Sequence, residues 1–145
     1  MPRSIPSHRS PAAPLLTIAV DFHGVICDHP EGAAGLTSLD WPEVPGAVEW
    51  LRRISEKYRV VIVSARFGRP GGEGSHAVGM AMTWLSQRGI PTEWMLPGER
   101  PPKILLTPSK PACVLWIDDR AWRFDGVFPS AEDIASFRPW NRMRE

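Results

Sequence analysis

Hydrophobic residues along this chain fall into short continuous runs, and the runs are separated by stretches rich in turn formers. Leu15-Leu-Thr-Ile-Ala-Val20 is the first, and an unbroken apolar run of that length predicts a strand buried on both faces. It ends at Asp21 and enters Phe22-His-Gly-Val25, where Gly24 permits a sharp departure from a sheet. Residues 28–45 carry several prolines and glycines and predict irregular chain. From about Pro45 to Lys57 the pattern changes period. Ala47, Trp50, Leu51 and Ile54 recur at helical spacing, while Glu49, Arg52, Arg53 and Glu56 face away, which predicts an amphipathic helix with Pro45 in its first turn. Arg59-Val-Val-Ile-Val63, rich in β-branched residues, predicts a second buried strand that closes on Ser64.

Gly68–Gly74 reads as a flexible glycine-rich loop, and Ser75 as the N-cap of a helix that runs to about Arg88 and stops at Gly89. Thr92–Leu96 predicts a short third strand. Pro97–Pro111 predicts a proline-rich loop around a short apolar piece, Ile104-Leu-Leu106. Ala112-Cys-Val-Leu-Trp-Ile117 predicts a fourth buried strand, running straight into Asp118-Asp119-Arg120. Gly126-Val-Phe128 is a candidate fifth strand, and Ser130-Ala-Glu-Asp133 a helix start with a carboxylate at its third position. Alternating strands and helices predict an α/β domain around a mainly parallel central sheet of about five strands. In such sheets ligands bind beyond the carboxyl ends of the strands. Asp21, Ser64 and the pair Asp118-Asp119 each follow a strand, so the topology predicts that they meet in one crevice.

Composition narrows the picture. A chain of 145 residues with 43% hydrophobic and 23% charged residues predicts one domain over 15–145, preceded by a disordered proline- and serine-rich arm over 1–14. A net charge of +1 gives no overall field that would by itself imply nucleic acid. Cys27 and Cys113 form neither a disulfide framework nor a metal-ligand spacing and suit a reducing cytoplasm. The apolar runs are far shorter than the roughly 20 residues of a membrane span. Lysine is scarce, at Lys57, Lys103 and Lys110 only, so a lysine near the crevice is informative.

Gathered at one sheet edge, Asp21, Asp118 and Asp119 would repel one another unless a cation sat among them. Oxygen donors with few fixed positions favour Mg2+, which takes one or two carboxylates together with substrate phosphate. A carboxylate that also touches a phosphoryl group can attack it. Ser64 could donate to one phosphoryl oxygen, and a lysine would complete the cradle.

These residues resemble a family. Asp21-Phe-His-Gly-Val25 is similar to the first motif of the haloacid dehalogenase (HAD) superfamily, Asp-x-Asp-Gly-x. Val61-Ile-Val-Ser64 resembles the second, an apolar strand closed by Ser or Thr, and Leu115-Trp-Ile-Asp-Asp119 the fourth, an apolar strand closed by paired aspartates. The resemblance implies a three-layer Rossmann-like (HAD-like) domain and a Mg2+-dependent phosphohydrolase working through an aspartyl-phosphate on Asp21. It implies metal ligation by Asp21, the backbone carbonyl of His23, Asp118 and Asp119. It also implies that Ser64 and a lysine, Lys110 or Lys103, hold the phosphoryl group. Apart from the resemblance, Arg66, two residues past Ser64, is a candidate either for substrate phosphate or for a surface ion pair. Read from the residues alone, Arg120 would clamp Asp119 or another acidic neighbour through two hydrogen bonds.

The intervals between motifs hold no full cap domain. The site is therefore expected to be open, or covered by a small flap from residues 26–42 or by a partner subunit. Open members of the superfamily act on exposed phosphates, so the expected partners are phosphorylated small molecules, nucleotides or nucleic-acid ends. The chain departs from the family at His23, which stands where a second aspartate serves as acid and base. Histidine can do that work, its reference pKa lying near 6.5. The alternative is a catalytically degraded HAD-like module that binds Mg2+ and phosphate without efficient turnover. A receiver-like domain would place its acidic pair early and its phosphorylated aspartate late, the reverse of the order here.

Overall fold

The computed structural model describes residues 15–28, 39–94 and 104–142, so the expected arm at 1–14 and the candidate Lys103 lie outside the described residues. β1 (Thr17–Asp21) pairs in parallel with β2 (Arg59–Val63), from Thr17 opposite Arg59 to Asp21 opposite Val63. Between them runs α1 (Ala47–Ser55). After β2 the chain forms a 3-10 turn at Ala65–Gly68 and then α2 (Glu73–Ser86). The two-residue β3 (Glu93–Trp94) and then β4 (Ile104–Thr107) follow, β4 lying beside β2 with Thr107 opposite Val63. β5 (Leu115–Ile117) pairs on the far side of β1, with Ile117 opposite Val20. The order is β3-β4-β2-β1-β5, and every pair is parallel. The protein is thus α/β, its sheet built on four strands of three to five residues with the short β3 added at one edge. None of its described helices is long and apolar enough to cross a membrane.

Side chains alternate across a sheet, so the two faces can be read from parity. Val20, Val60, Ile62, Ile104 and Leu106 share one core with Val48 and Leu51 of α1 and with Ala77, Ala81, Trp84 and Leu85 of α2. Both helices therefore cover the same face. That follows from chain direction: β1 to β2 and, through α2, β2 onward to β3 step the same way across the sheet, and right-handed crossovers in one direction stack on one side. The opposite face, among the described residues, carries Ala19, Val61, Val63 and Leu105, with Cys113 and Trp116 packed against them.

Several elements differ from expectation. Ile104–Thr107 is not loop but an interior strand, fully buried between β2 and β3. Ala112–Ile117 is not buried on both faces. Only Leu115–Ile117 is strand, and because β5 is the sheet edge, Val114 and Leu115 stand 62% and 52% exposed. Gly126–Phe128 is not a strand; Val127 and Phe128 are open to solvent. α1 starts at Ala47 behind a left-handed Gly46, so Pro45 precedes its first turn. α2 starts at Glu73, inside the stretch expected to be loop. The capping box at Ser130 and Asp133 forms as expected and opens α3 (Ala131–Ser136), which buries no residue.

Candidate active site

The strand register delivers the polar residues to one edge. Asp21 ends β1, Ser64 follows β2, Lys110 follows β4, and Asp118-Asp119 follow β5. All of them line a single cavity of about 500 Å³ with His23, Arg66 and Trp116. The missed strand explains Lys110. Its approach is set by the turn after β4, where Thr107 Oγ1 accepts from Ser109 N at 3.2 Å. Lys110 Nζ then lies 5.4 Å from the centre of the Trp116 ring.

Carboxylate oxygens of Asp21, Asp118 and Asp119 lie within 4.8 Å of one another. Trp116 Nε1 donates to Asp118 Oδ2 at 3.1 Å, and the Arg120 backbone N–H to Oδ1 at 2.7 Å, which fixes that carboxylate. Asp21 shares a hydrogen bond with Asp119. Burial, then the Asp118 and Asp119 charges and that shared bond, push the Asp21 carboxyl from the usual 3.8 up to about 8. Burial and the Asp118 charge raise Asp119 too. Three oxygen donors that cannot all be charged together suit a hard divalent cation such as Mg2+, with no nitrogen or sulfur ligand required. The donor set fits the ion.

The turn after β1 brings these groups together. Gly24 sits at φ +90°, and a Cβ there would lie 2.5 Å from Asp119 Oδ2. Both the backbone and the space exclude a side chain. Gly24→Ala is expected to cost roughly 1–3 kcal/mol from backbone strain alone. It would also push Asp119 off Asp21, and urea unfolding with Mg2+ titration would read both losses.

His23 is buried, and its Nδ1 lies 2.8 Å from Ser64 Oγ. Phe22, Trp41 and Phe67 pack edge-on around the imidazole at 5.0, 5.8 and 6.3 Å. Ser64 Oγ also accepts from Arg66 N at 3.2 Å, capping the Ala65–Gly68 turn. Arg66 lies 5.6 Å over the Trp41 ring. Arg120 makes one contact with Asp119, Nε to Oδ2 at 3.9 Å, rather than a two-pronged clamp. Cys27, whose thiol burial pushes up to about 12, is an inert packing residue.

No family model matches the chain, and no curated protein or solved structure matches it either.

The sequence therefore stands on its own geometry, and that geometry includes residues that no motif named. Trp84 is core, and its Nε1 also donates to the Trp41 carbonyl at 2.8 Å, which seats the Trp41 wall. Trp140, in a 3-10 turn at Trp140–Arg142, donates from Nε1 to the Gly24 carbonyl at 2.7 Å. Its neighbours Pro139 and Arg142 line the cavity. A strap from the last part of the chain thus lies over the turn that carries His23 and Gly24. Of the flap expected at residues 26–42, the described feet are pinned, Asp28 N to Pro42 O at 2.8 Å and Val44 N to Ile26 O at 2.9 Å.

Proposed function

We propose that this chain is a Mg2+-dependent phosphomonoesterase of HAD-like type that works through an aspartyl-phosphate on Asp21. The observation that carries this reading is the meeting of Asp21, Asp118 and Asp119 at one sheet edge, beside Ser64 and Lys110. The three-layer architecture and family membership belong to the same proposal, supported by the order of the motifs. With two cysteines that are both free, a reducing cytoplasm suits the chain.

Asp21, Asp118 and Asp119 would hold Mg2+, with the His23 carbonyl as the resemblance implies; when bound, the ion supplies the positive charge that keeps Asp21 ionised and offsets the phosphoryl oxygens. Ser64 and Lys110 orient the phosphoryl group. Asp21 attacks phosphorus, the bond to the leaving oxygen breaks, and His23 gives that oxygen a proton. Water then attacks the aspartyl-phosphate, His23 takes its proton, and phosphate leaves as the bond to Asp21 breaks. The His23–Ser64 contact links the two roles. With the ring protonated on Nδ1, Ser64 Oγ accepts from His23 and from Arg66 N, and its own proton is left for a phosphoryl oxygen.

A second reading is favoured by that same contact. Bonded to Ser64 and walled by three aromatic rings, His23 is a rigid group where a mobile acid would serve better, and the chain would then bind Mg2+ and phosphate with little turnover. Hydrolysis of an aryl phosphate with excess Mg2+ by wild type and His23→Asp separates the two. Wild-type turnover that falls in His23→Asp supports the enzyme, and turnover arising only in His23→Asp supports the degraded site. If neither protein releases phosphate above the buffer rate, the phosphatase reading fails.

A further inference from the structure

We propose that the cavity takes a small molecule bearing two phosphate groups, the second held by Arg120 and Arg142 outside the first; this rests on the phosphomonoesterase reading for the seat of the first. Three carboxylates line the cavity, and five cationic side chains line it with them: Arg66, Arg69, Lys110, Arg120 and Arg142. With one phosphate dianion over a divalent cation, held by Ser64 and Lys110, the three carboxylates and five cationic side chains leave an excess of two positive charges. Arg66 is placed over Trp41 at 5.6 Å, and Arg69 meets Glu73 at 3.7 Å. Arg120 and Arg142 differ. Both are exposed, Arg120 reaches a carboxylate only at 3.9 Å, and among the described residues Arg142 forms no ion pair.

Arg142 is held at the cavity by the turn it belongs to. The Trp140 bond to the Gly24 carbonyl, 2.7 Å long, anchors its turn on the loop that carries His23. The cations also crowd each other: burial, then Arg69 and with it Arg120, lower the Arg66 guanidinium below its usual range. Such crowding is relieved by an anion with more than one charged group. The size of that anion follows from the rest of the molecule. With 17 Lys and Arg against 16 Asp and Glu overall, the cationic excess is local to a cavity of about 500 Å³, which suits a compact ligand. A polynucleotide would need phosphate contacts spread along a surface.

Calorimetric titration with excess Mg2+ tests this, using methylphosphonate and methylenebisphosphonate as probes. Wild type is expected to bind the bisphosphonate at least about tenfold more tightly. Arg120→Ala and Arg142→Ala should each weaken the bisphosphonate at least about fivefold more than they weaken the monophosphonate, and Arg142→Lys should recover part of the loss. Both arginines are exposed, so folding is not at stake. Equal weakening of the two probes would overturn the subsite, and a 5′-phosphorylated oligonucleotide that binds more tightly than the bisphosphonate would overturn the small-molecule assignment. Binding needs no turnover, which keeps the two readings apart. Preference for the bisphosphonate without phosphate release from an aryl ester would remove the phosphatase alone, and release without preference would remove the subsite alone.

Discussion

Asp21→Asn is expected to lower Mg2+-dependent hydrolysis of an aryl phosphate by at least about a thousandfold while making the metal-free protein more stable. The rate falls because the amide cannot form the bond to phosphorus. The stability rises because Asp21 is ionised at a cost: burial and two neighbouring carboxylates hold its pKa at about 8. At about pH 7.5 an unfolded Asp21 is fully charged, so folding must either bury that charge or take up a proton. Moving a carboxyl from 3.8 to about 8 corresponds to on the order of 5 kcal/mol. Asp119 and local water share in that cost, so a gain of roughly 2–3 kcal/mol in urea unfolding with EDTA is the expected result. A variant that hydrolyses as well as wild type would remove Asp21 as nucleophile. One that loses activity and stability together would instead point to a structural defect.

The second large effect is a dependence of stability on pH that Mg2+ reverses. For an acid whose pKa rises on folding, the folded chain holds more protons than the unfolded chain between the two values. Stability therefore falls as pH rises, here from about 4 to about 8. Asp119, raised in the same direction, adds to the slope. Metal-free protein should melt at progressively lower temperature across that window. A bound cation replaces the shared proton, so Mg2+ should flatten the slope and release protons on binding. At a hundredfold excess over its dissociation constant, the ion would add about 2.7 kcal/mol, or on the order of 8 °C in melting temperature. Melting curves with EDTA or Mg2+ at several pH values measure it. A flat metal-free profile would mean that the three carboxylates are not coupled. A Mg2+ effect unchanged in Asp21→Asn would place the ion elsewhere.

Much of this site was legible because the chain writes its strand ends plainly. β2 lies where its β-branched run predicts, and β1 within one to two residues of its own. Asp21, Ser64 and Asp118-Asp119 are the first polar residues after apolar runs, which in a parallel sheet puts them on one rim. Edge and interior were not legible, because an apolar run says nothing of how many neighbours a strand has. Ala112–Ile117 looked like a buried strand and is the edge. Ile104–Thr107, only four residues long and set among prolines, looked like loop and lies inside. Lys110 precedes β5 in the chain, yet it reaches the cavity because it follows β4. The Trp140 bond to Gly24 spans 116 positions and leaves no local periodicity at either end. Such a contact is a product of tertiary folding alone.

Trp116 gives the thin side of the sheet an unusual influence. Its ring packs with Ala19, Val61, Val63 and Leu105, its N–H steadies Asp118, and its face neighbours the Lys110 ammonium. The indole works as a lever whose fulcrum is a handful of small apolar side chains. Enlarging Val61 or trimming Leu105, changes that touch no charged atom, would tilt that lever and shift an anionic and a cationic group together. Silent-looking drift on the back of the sheet is therefore felt at the front, and the freedom of those four positions is set by aim as well as by volume.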